Sequence, residues 1–232
     1  MGVHLLDQLL HRDDVDKIYC LVRSSTSEPQ SKPDDRVRAA LEARHLSTSQ
    51  LASKATIVTS DLATPDLGVP PATFAEVLKT TTHIIHAAWT VNFQLGLSAF
   101  EPQLQGLHNL IETALQSHRS IPPHFYFCSS VAVALATPAP AVIPEAPITN
   151  LAQALSSGYA RSKLIAERIV AAAAENAGVP ATVLRIGQVV GDTREGIWND
   201  TEAWPLIVRS ARTLGVLPRL DVVCTLALLS YK

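Results

Sequence analysis

Short apolar runs alternate along this chain with longer stripes of helical period. Positions 3, 5, 6, 9 and 10 are apolar, a helical stripe from Val3 to Leu10 with no strand before it. Lys17 to Val22 reads as a short buried strand ending in Arg23, and Ser24 to Pro33 as a polar, proline-broken loop. Asp34 to His45 follows as a helix with Val37, Ala40 and Leu41 inward, then Thr56 to Thr59 as a strand closed by Asp61-Leu62. Pro70 to Thr80 predicts a short helix, Thr82 to Ala88 a strand, Ser98 to Gln116 a long amphipathic helix, and His124 to Cys128 a strand that delivers Ser129 and Ser130. Ser156 to Ala177 is a helix ended by Gly178, and Ala181 to Ile186 the next strand. Strict alternation of strand and helix argues for an α/β protein, with a parallel sheet covered on both faces. Ligands in such doubly wound sheets bind at the carboxyl ends of the strands. Arg23, Asp61, Ala88 onward, Ser129-Ser130 and Gly187-Gln188 all fall at such ends. Ala132 to Ala146 is rich in Ala and Pro and reads as a loop over that edge.

The candidate chemistry lies between Phe127 and Lys163. Ser129-Ser130 closes a strand, and Tyr159-Ala160-Arg161-Ser162-Lys163 opens a helix. The offset of four puts Tyr159 and Lys163 on one helical face, a turn apart. An ammonium near a phenol favours the phenolate and lowers its pKa towards the working range of a general acid. A serine hydroxyl would hold the substrate oxygen that receives the proton. A Tyr-x-x-x-Lys pair also falls by chance on many helices, and two serines after a strand are ordinarily loop residues. The order of strand, Ser-Ser, long loop, Tyr/Lys helix and strand is what favours the catalytic reading.

Composition narrows the class. Of 232 residues, 47% are hydrophobic, 17% charged and 5% aromatic, which suits a compact Ala/Leu/Val-rich α/β domain. A net charge of −2 gives no reason to expect nucleic acid or an anionic membrane as partner. Three cysteines, Cys20, Cys128 and Cys224, are widely spaced and odd in number, so neither a disulfide framework nor a zinc ribbon is indicated. His83 and His86, three apart on a strand, point to opposite faces and speak against a shared metal. The start Met1-Gly2-Val3-His4 has no secretory pattern, Leu6 stands where myristoylation needs Ser or Thr, and the apolar run Val222 to Leu229 is too short to span a bilayer. Asn199-Asp200-Thr201 fits the glycosylation sequon but would be idle without a secretory route. A cytoplasmic location is the expectation. A dinucleotide-binding sheet should open with a strand and a Gly-rich turn. Here the chain starts inside the expected first helix, so Gly2 is either the last glycine of that turn or simply the residue after the initiator.

Four segments carry a resemblance: His86-Ala87-Ala88-Trp89-Thr90-Val91-Asn92-Phe93, Phe127-Cys128-Ser129-Ser130, Tyr159-Ala160-Arg161-Ser162-Lys163, and Arg185-Ile186-Gly187-Gln188-Val189-Val190-Gly191-Asp192. In this order they resemble the extended short-chain dehydrogenase/reductase superfamily, specifically its thioester reductase (male-sterility type) branch. That branch includes the reductase domains of fungal nonribosomal-peptide-synthetase-like enzymes, aminoadipate reductases and carboxylic acid reductases. The resemblance runs from about Gly2 to Leu220. It implies a Rossmann-like doubly wound parallel sheet, here expected without its first strand and without most of the C-terminal substrate lobe. It places the NAD(P)-binding domain over residues 1–197 and the start of the lobe over 198–232.

Carried over by residue, the resemblance makes Ser130, Tyr159 and Lys163 catalytic. It assigns cofactor contacts to Gly2, Arg23, Asp61, Leu62, His86, Ala87, Ala88, Asn92, Ser129, Tyr159, Lys163, Gly187 and Gln188, and no metal. Arg23 matches the position that meets the adenosine 2′-phosphate, which implies NADPH because a guanidinium suits that dianion; a solvated loop charge is the other reading. Gln103 stands three residues before Gly106, where extended members often carry Asn, so no proton-relay role is carried over to it. The implied activity is NADPH-dependent reduction of an acyl thioester, held on a carrier-protein phosphopantetheine arm, to an aldehyde or further to an alcohol. Two alternatives stay open: another activity of the superfamily, such as a nucleotide-sugar epimerase or a ketoreductase, and a non-catalytic remnant or cofactor-binding module. Without the first strand, weak NADPH binding is expected of the chain alone.

Overall fold

The computed structural model describes residues 1–24, 31–217 and 219. They divide into two compact units, Met1–Ile186 and Gly187 onward. The first unit runs α1 (Gly2–Leu10), β1 (Ile18–Arg23), α2 (Pro33–Glu42), α3 (Leu51–Lys54), β2 (Ala55–Ser60), α4 (Pro71–Thr80), β3 (His83–His86), α5 (Glu101–Leu115), β4 (His124–Ser130), α6 (Gly158–Ala177) and β5 (Ala181–Ile186). All pairings are parallel: β1 with β2, β3 with β4, and β4 with β5. The strands form two sheets, β1-β2 and β3-β4-β5. In the doubly wound order 3-2-1-4-5-6 these are the places on either side of the first strand. Among the described residues no strand pairs with the other side of β1 or of β3. The Rossmann-like parallel sheet expected from the sequence is therefore the architecture that forms.

One core nonetheless joins both sheets. Phe125 and Phe127 of β4 pack with Leu107, Leu110, Ile111 and Ala114 of α5 and with Ala166 and Val170 of α6, and Leu21 of β1 and Val58 of β2 lie against the same cluster. The strand period of two sends Ile18, Cys20 and Val22 to the opposite face, where they meet Leu6, Leu10, Val37 and Leu41 of α1 and α2. Local signals set the helix ends. Pro33 begins α2 with Asp34 and Asp35 in its first turn, where negative charge suits the helix dipole. Ser157 caps α6 by accepting from Ala160 N at 3.2 Å, and Gly178 stops it at φ 71°.

Several boundaries differ from expectation. β3 is shorter than the apolar run, whereas β4 continues through Ser129 and Ser130 because its backbone still pairs with Arg185 and Ile186 of β5. The long helix near residue 100 splits into a 3-10 turn, Leu97–Phe100, followed by α5, whose second residue, Pro102, stands in the first turn where no backbone donor is needed. The one-turn α3 has no sequence counterpart in the expectation.

The second unit contains α7 (Ala203–Leu214), also unforeseen, none of whose residues is buried. Its approach is shaped by the Asp192 carboxylate, which accepts from Arg194, Glu195 and Ile197 backbone nitrogens at 2.7–2.9 Å. The second unit starts just after Ile186. The apolar run Val222 to Leu229, with Cys224, lies outside the described residues. Among the described residues no helix is long and apolar enough to cross a membrane.

Candidate active site

The last three residues of β4 are fastened, one after another, to helix α6. Lys163 Nζ donates to the Cys128 carbonyl at 2.6 Å. Ser129 Oγ donates to Glu167 Oε1 at 2.6 Å. The Ser130 hydroxyl lies near enough to the Tyr159 phenol to oppose the rise in its pKa, and its oxygen accepts from Ala132 N at 3.2 Å. Tyr159 and Lys163, singled out from their spacing, and Ser130, assigned by the resemblance, thus lie at the carboxyl end of one strand.

Lys163 is 3% exposed. Its ammonium lies 4.3 Å from the Trp89 ring centre and 4.7 Å from that of Phe127, a cation–π arrangement. Burial lowers its pKa to about 7, against the opposing pull of Cys128 and Glu167. Tyr159 differs from the sequence expectation. Its pKa is raised, because burial outweighs the hydrogen bond from Ser130. The lysine expected to depress it is instead turned to the Cys128 carbonyl and the two rings. The phenol is thus held protonated, as a proton donor must be.

A strap of residues 89–97 closes over the start of α6. Trp89 Nε1 donates to Ser162 Oγ at 3.2 Å, and Ser162 in turn donates to the Tyr159 carbonyl at 2.8 Å. Phe93 meets Tyr159 edge to face with ring centres 4.9 Å apart, and Phe100 does so from within the core at 6.4 Å. Gly158 is required here, since a Cβ would press into the backbone of Leu95 to Leu97. Asn92 shapes the strap by accepting from Gln94 N at 2.9 Å. Gln103 donates to Thr90 Oγ1 at 2.8 Å.

His86 is buried beneath Trp89, and its Nε2 has no hydrogen-bond partner among the described residues. Burial and then the Lys163 charge lower its pKa to about 4, so the ring is neutral. Ala87 is half-buried and Ala88 exposed at the end of β3. His83 is exposed while His86 is buried, as their spacing on the strand required. Among the described residues no three His, Cys, Asp or Glu side chains gather as metal ligands.

The β1-β2 side is built differently. Arg23 is exposed at the end of β1, and its carbonyl accepts from Arg36 Nη1 of α2 at 2.8 Å. The Arg36 guanidinium is thus held at the backbone end of β1, which the sequence reading missed because Arg36 is thirteen residues away across a loop. Asp61 turns the chain after β2 by accepting from Ala63 N at 3.0 Å. The Leu62 carbonyl accepts from Asn109 Nδ2 at 2.8 Å, and a Cβ on Gly106 would lie 2.9 Å from Leu62 Cβ, so α5 sits tight against this turn. Gly2 opens α1, and a side chain there would meet nothing within 4 Å, so no close approach calls for glycine. Gly187 and Gln188 open the second unit, where Gln188 Nε2 donates to the Val189 carbonyl at 3.0 Å.

The residues present fit a dinucleotide in two respects. The orphaned His86 Nε2 and the Lys163 ammonium offer buried polar groups at the ends of β3 and β4. Arg23, exposed at the end of β1, and Arg36, whose guanidinium reaches that strand end, offer two cationic side chains there.

Comparison with known proteins agrees with this geometry. The chain is 37% identical over 220 residues to the adenylate-forming reductase Nps10 of Heterobasidion annosum, covering 94% of this chain and 20% of that protein. It is 36% identical over 220 residues to a carboxylic acid reductase of Neurospora crassa, again covering 94% of this chain and 20% of the relative. The crystal structure of the terminal R domain from the myxalamid PKS-NRPS biosynthetic pathway superposes with a TM-score of 0.81 at 29% identity, over 95% of this chain and 54% of that one. The chain therefore spans about a fifth of the length of these curated relatives and about half of that solved domain. A model of the NAD-binding family described as male sterility protein matches residues 1–226, and the chain belongs to that family.

Proposed function

We propose that this chain is the nucleotide-binding part of a reductase that converts a carrier-bound acyl thioester to an aldehyde with NADPH. The meeting of Ser130, Tyr159 and Lys163 on β4 and α6 is the observation that carries the reading. The names of its relatives, an adenylate-forming reductase and a carboxylic acid reductase, support the reaction class. Lys163 and His86 would hold the nicotinamide ribose, Ala87 and Ala88 would flank the cofactor, and Asp61 and Leu62 would meet the adenine. Arg23 and Arg36 would pair with a 2′-phosphate, which favours NADPH over NADH. Roles for Gly2, Asn92, Ser129, Gly187 and Gln188 as cofactor contacts rest on the resemblance.

When bound, NADPH supplies the hydride that reduces the thioester carbonyl carbon. The chain's own residues handle the oxygen. Ser130 donates a hydrogen bond to it, and Tyr159, held protonated by burial, gives it a proton as negative charge develops. Lys163, with a pKa of about 7, supplies positive charge near the site and titrates in the range where the enzyme would work. The resulting hemithioacetal collapses: its C–S bond breaks, the phosphopantetheine thiol leaves with the proton given up by the hydroxyl, and the aldehyde remains. Trp89, Phe93 and the strap keep water from the inner side of Tyr159.

The test is direct. The chain would be incubated with NADPH and an acyl N-acetylcysteamine thioester, following loss of the reduced nicotinamide and trapping the aldehyde. Aldehyde formation that disappears in Tyr159→Phe supports the reading. NADPH binding without turnover by the chain, alone and joined to its carrier, would instead favour the binding-module alternative.

A further inference from the structure

We propose that Glu167 is a positioning residue of this site: its carboxylate locks the end of β4 to α6 and, through Arg185, to the loop above, so that Ser130 stays registered on Tyr159. The proposal rests on the catalytic reading of Ser130, Tyr159 and Lys163.

Glu167 is 5% exposed, an unusual place for a carboxylate outside the reacting groups. Its hydrogen bonds come from two different strands, β4 and β5. Ser129 of β4 donates to Oε1 at 2.6 Å. Arg185 of β5 grips both oxygens, Nε to Oε1 at 3.1 Å and to Oε2 at 3.2 Å, with Nη2 to Oε2 at 2.8 Å. Arg185 then reaches the loop between β4 and α6, donating from Nη2 to the Ala146 carbonyl at 3.0 Å and from Nη1 to the Pro144 carbonyl at 3.4 Å.

Tyr159, Lys163 and Glu167 recur every four residues and so share one stripe of α6. Opposite them stand Ser130, Cys128 and Ser129, three consecutive residues of β4. The Ser129 bond therefore fixes the residue directly before the oxygen-binding serine, two turns along from the phenol it serves. Stability alone is a poor reason for such a pair. Buried ion pairs are often replaceable by apolar residues without loss, whereas removing one partner is costly. A fixed geometry is the return that an apolar replacement would not give. The resemblance places Ser129 among cofactor contacts; its hydroxyl donates to Glu167.

The test uses the phenol itself, so it does not depend on turnover. Tyr159 is one of four tyrosines; its titration is isolated by ultraviolet difference between each protein and the same protein carrying Tyr159→Phe. If Glu167 holds Ser130 on the phenol, Glu167→Gln raises the Tyr159 pKa by ~0.5 unit or more through loss of the lowering hydrogen bond. Ser129→Ala, which leaves the Glu167–Arg185 pair intact, shifts it in the same direction by less, and Ser129→Thr restores it. Should Glu167→Gln fail to fold, the Ser129→Ala and Ser129→Thr pair decides alone. An unmoved phenol titration in a folded Ser129→Ala protein, or a shift that threonine does not reverse, overturns the proposal. Failure of the catalytic reading is seen separately, as full thioester turnover by Tyr159→Phe.

Discussion

The β4–α6 region and the β1–β2 region share one hydrophobic core but hold their polar groups in opposite ways. At β4–α6, Lys163, Glu167, Ser129 and Tyr159 are all buried, and each has a specific partner on a neighbouring element. At β1–β2, Arg23, Asp61 and Asp66 are exposed, and their bonds are short-range turn contacts or a single backbone carbonyl. Proton transfer needs donor and acceptor fixed within a fraction of an ångström, which rigid burial supplies. Recognition of an adenosine phosphate needs charge and a shape that water can partly share. The contrast predicts that substitutions in the first region act through geometry and pKa, and those in the second through affinity.

The largest expected effect is on turnover. Tyr159→Phe should lower thioester reduction by ~10²–10⁴-fold while leaving the cofactor dissociation constant nearly unchanged. Equal losses in rate and cofactor affinity would erase the distinction between the two regions. Next comes the wall that carries the site. Phe127 is fully buried, so Phe127→Ala should cost ~3–5 kcal/mol in denaturant unfolding.

The pH dependence sharpens the comparison further. Lys163 has a pKa of about 7 in the fold against an ordinary 10.5. Between those values the unfolded chain binds more protons than the native one, so stability rises with pH across that window, and the penalty is fully present below pH 7. Lys163→Met should therefore flatten the stability profile between pH 7 and 10.5 and raise stability near pH 6. His86, depressed from 6.5 to about 4, has the same sign: stability falls as pH drops from 6.5 towards 4, and His86→Gln should blunt that acid limb in the same unfolding titration. No residue of the β1–β2 turn should alter either slope.

Smaller effects belong to the second region. Arg23→Ala and Arg36→Ala should each weaken NADPH by roughly 10-fold relative to NADH, a loss of about 1.4 kcal/mol each. Isothermal titration with both nucleotides measures this, and parallel losses for both would remove the 2′-phosphate from the argument. Asp66 holds the turn by accepting from Gly68 N at 3.0 Å; Asp66→Asn should leave the denaturant midpoint nearly unchanged at so exposed a site.

The sequence by itself determined the α/β alternation, the parallel sheet, most element positions and the placing of Tyr159 and Lys163 on one face of a helix. These follow from local quantities: the period of apolar residues, a cap such as Ser157, a stop such as Gly178, and an offset of four on a helix. Tertiary structure decided what depends on residues far apart meeting. It split the strands into two sheets, carried β4 through two serines by pairing their backbone with β5, and brought Arg36 beside Arg23. It also turned Lys163 to the Cys128 carbonyl, so the phenol of Tyr159 is raised by burial rather than lowered by the ammonium. Glu167 and Arg185 were invisible as a pair because eighteen residues and a change from helix to strand separate them. Burial and long-range pairing set pKa and partner choice, and neither is written in any local stretch of the chain.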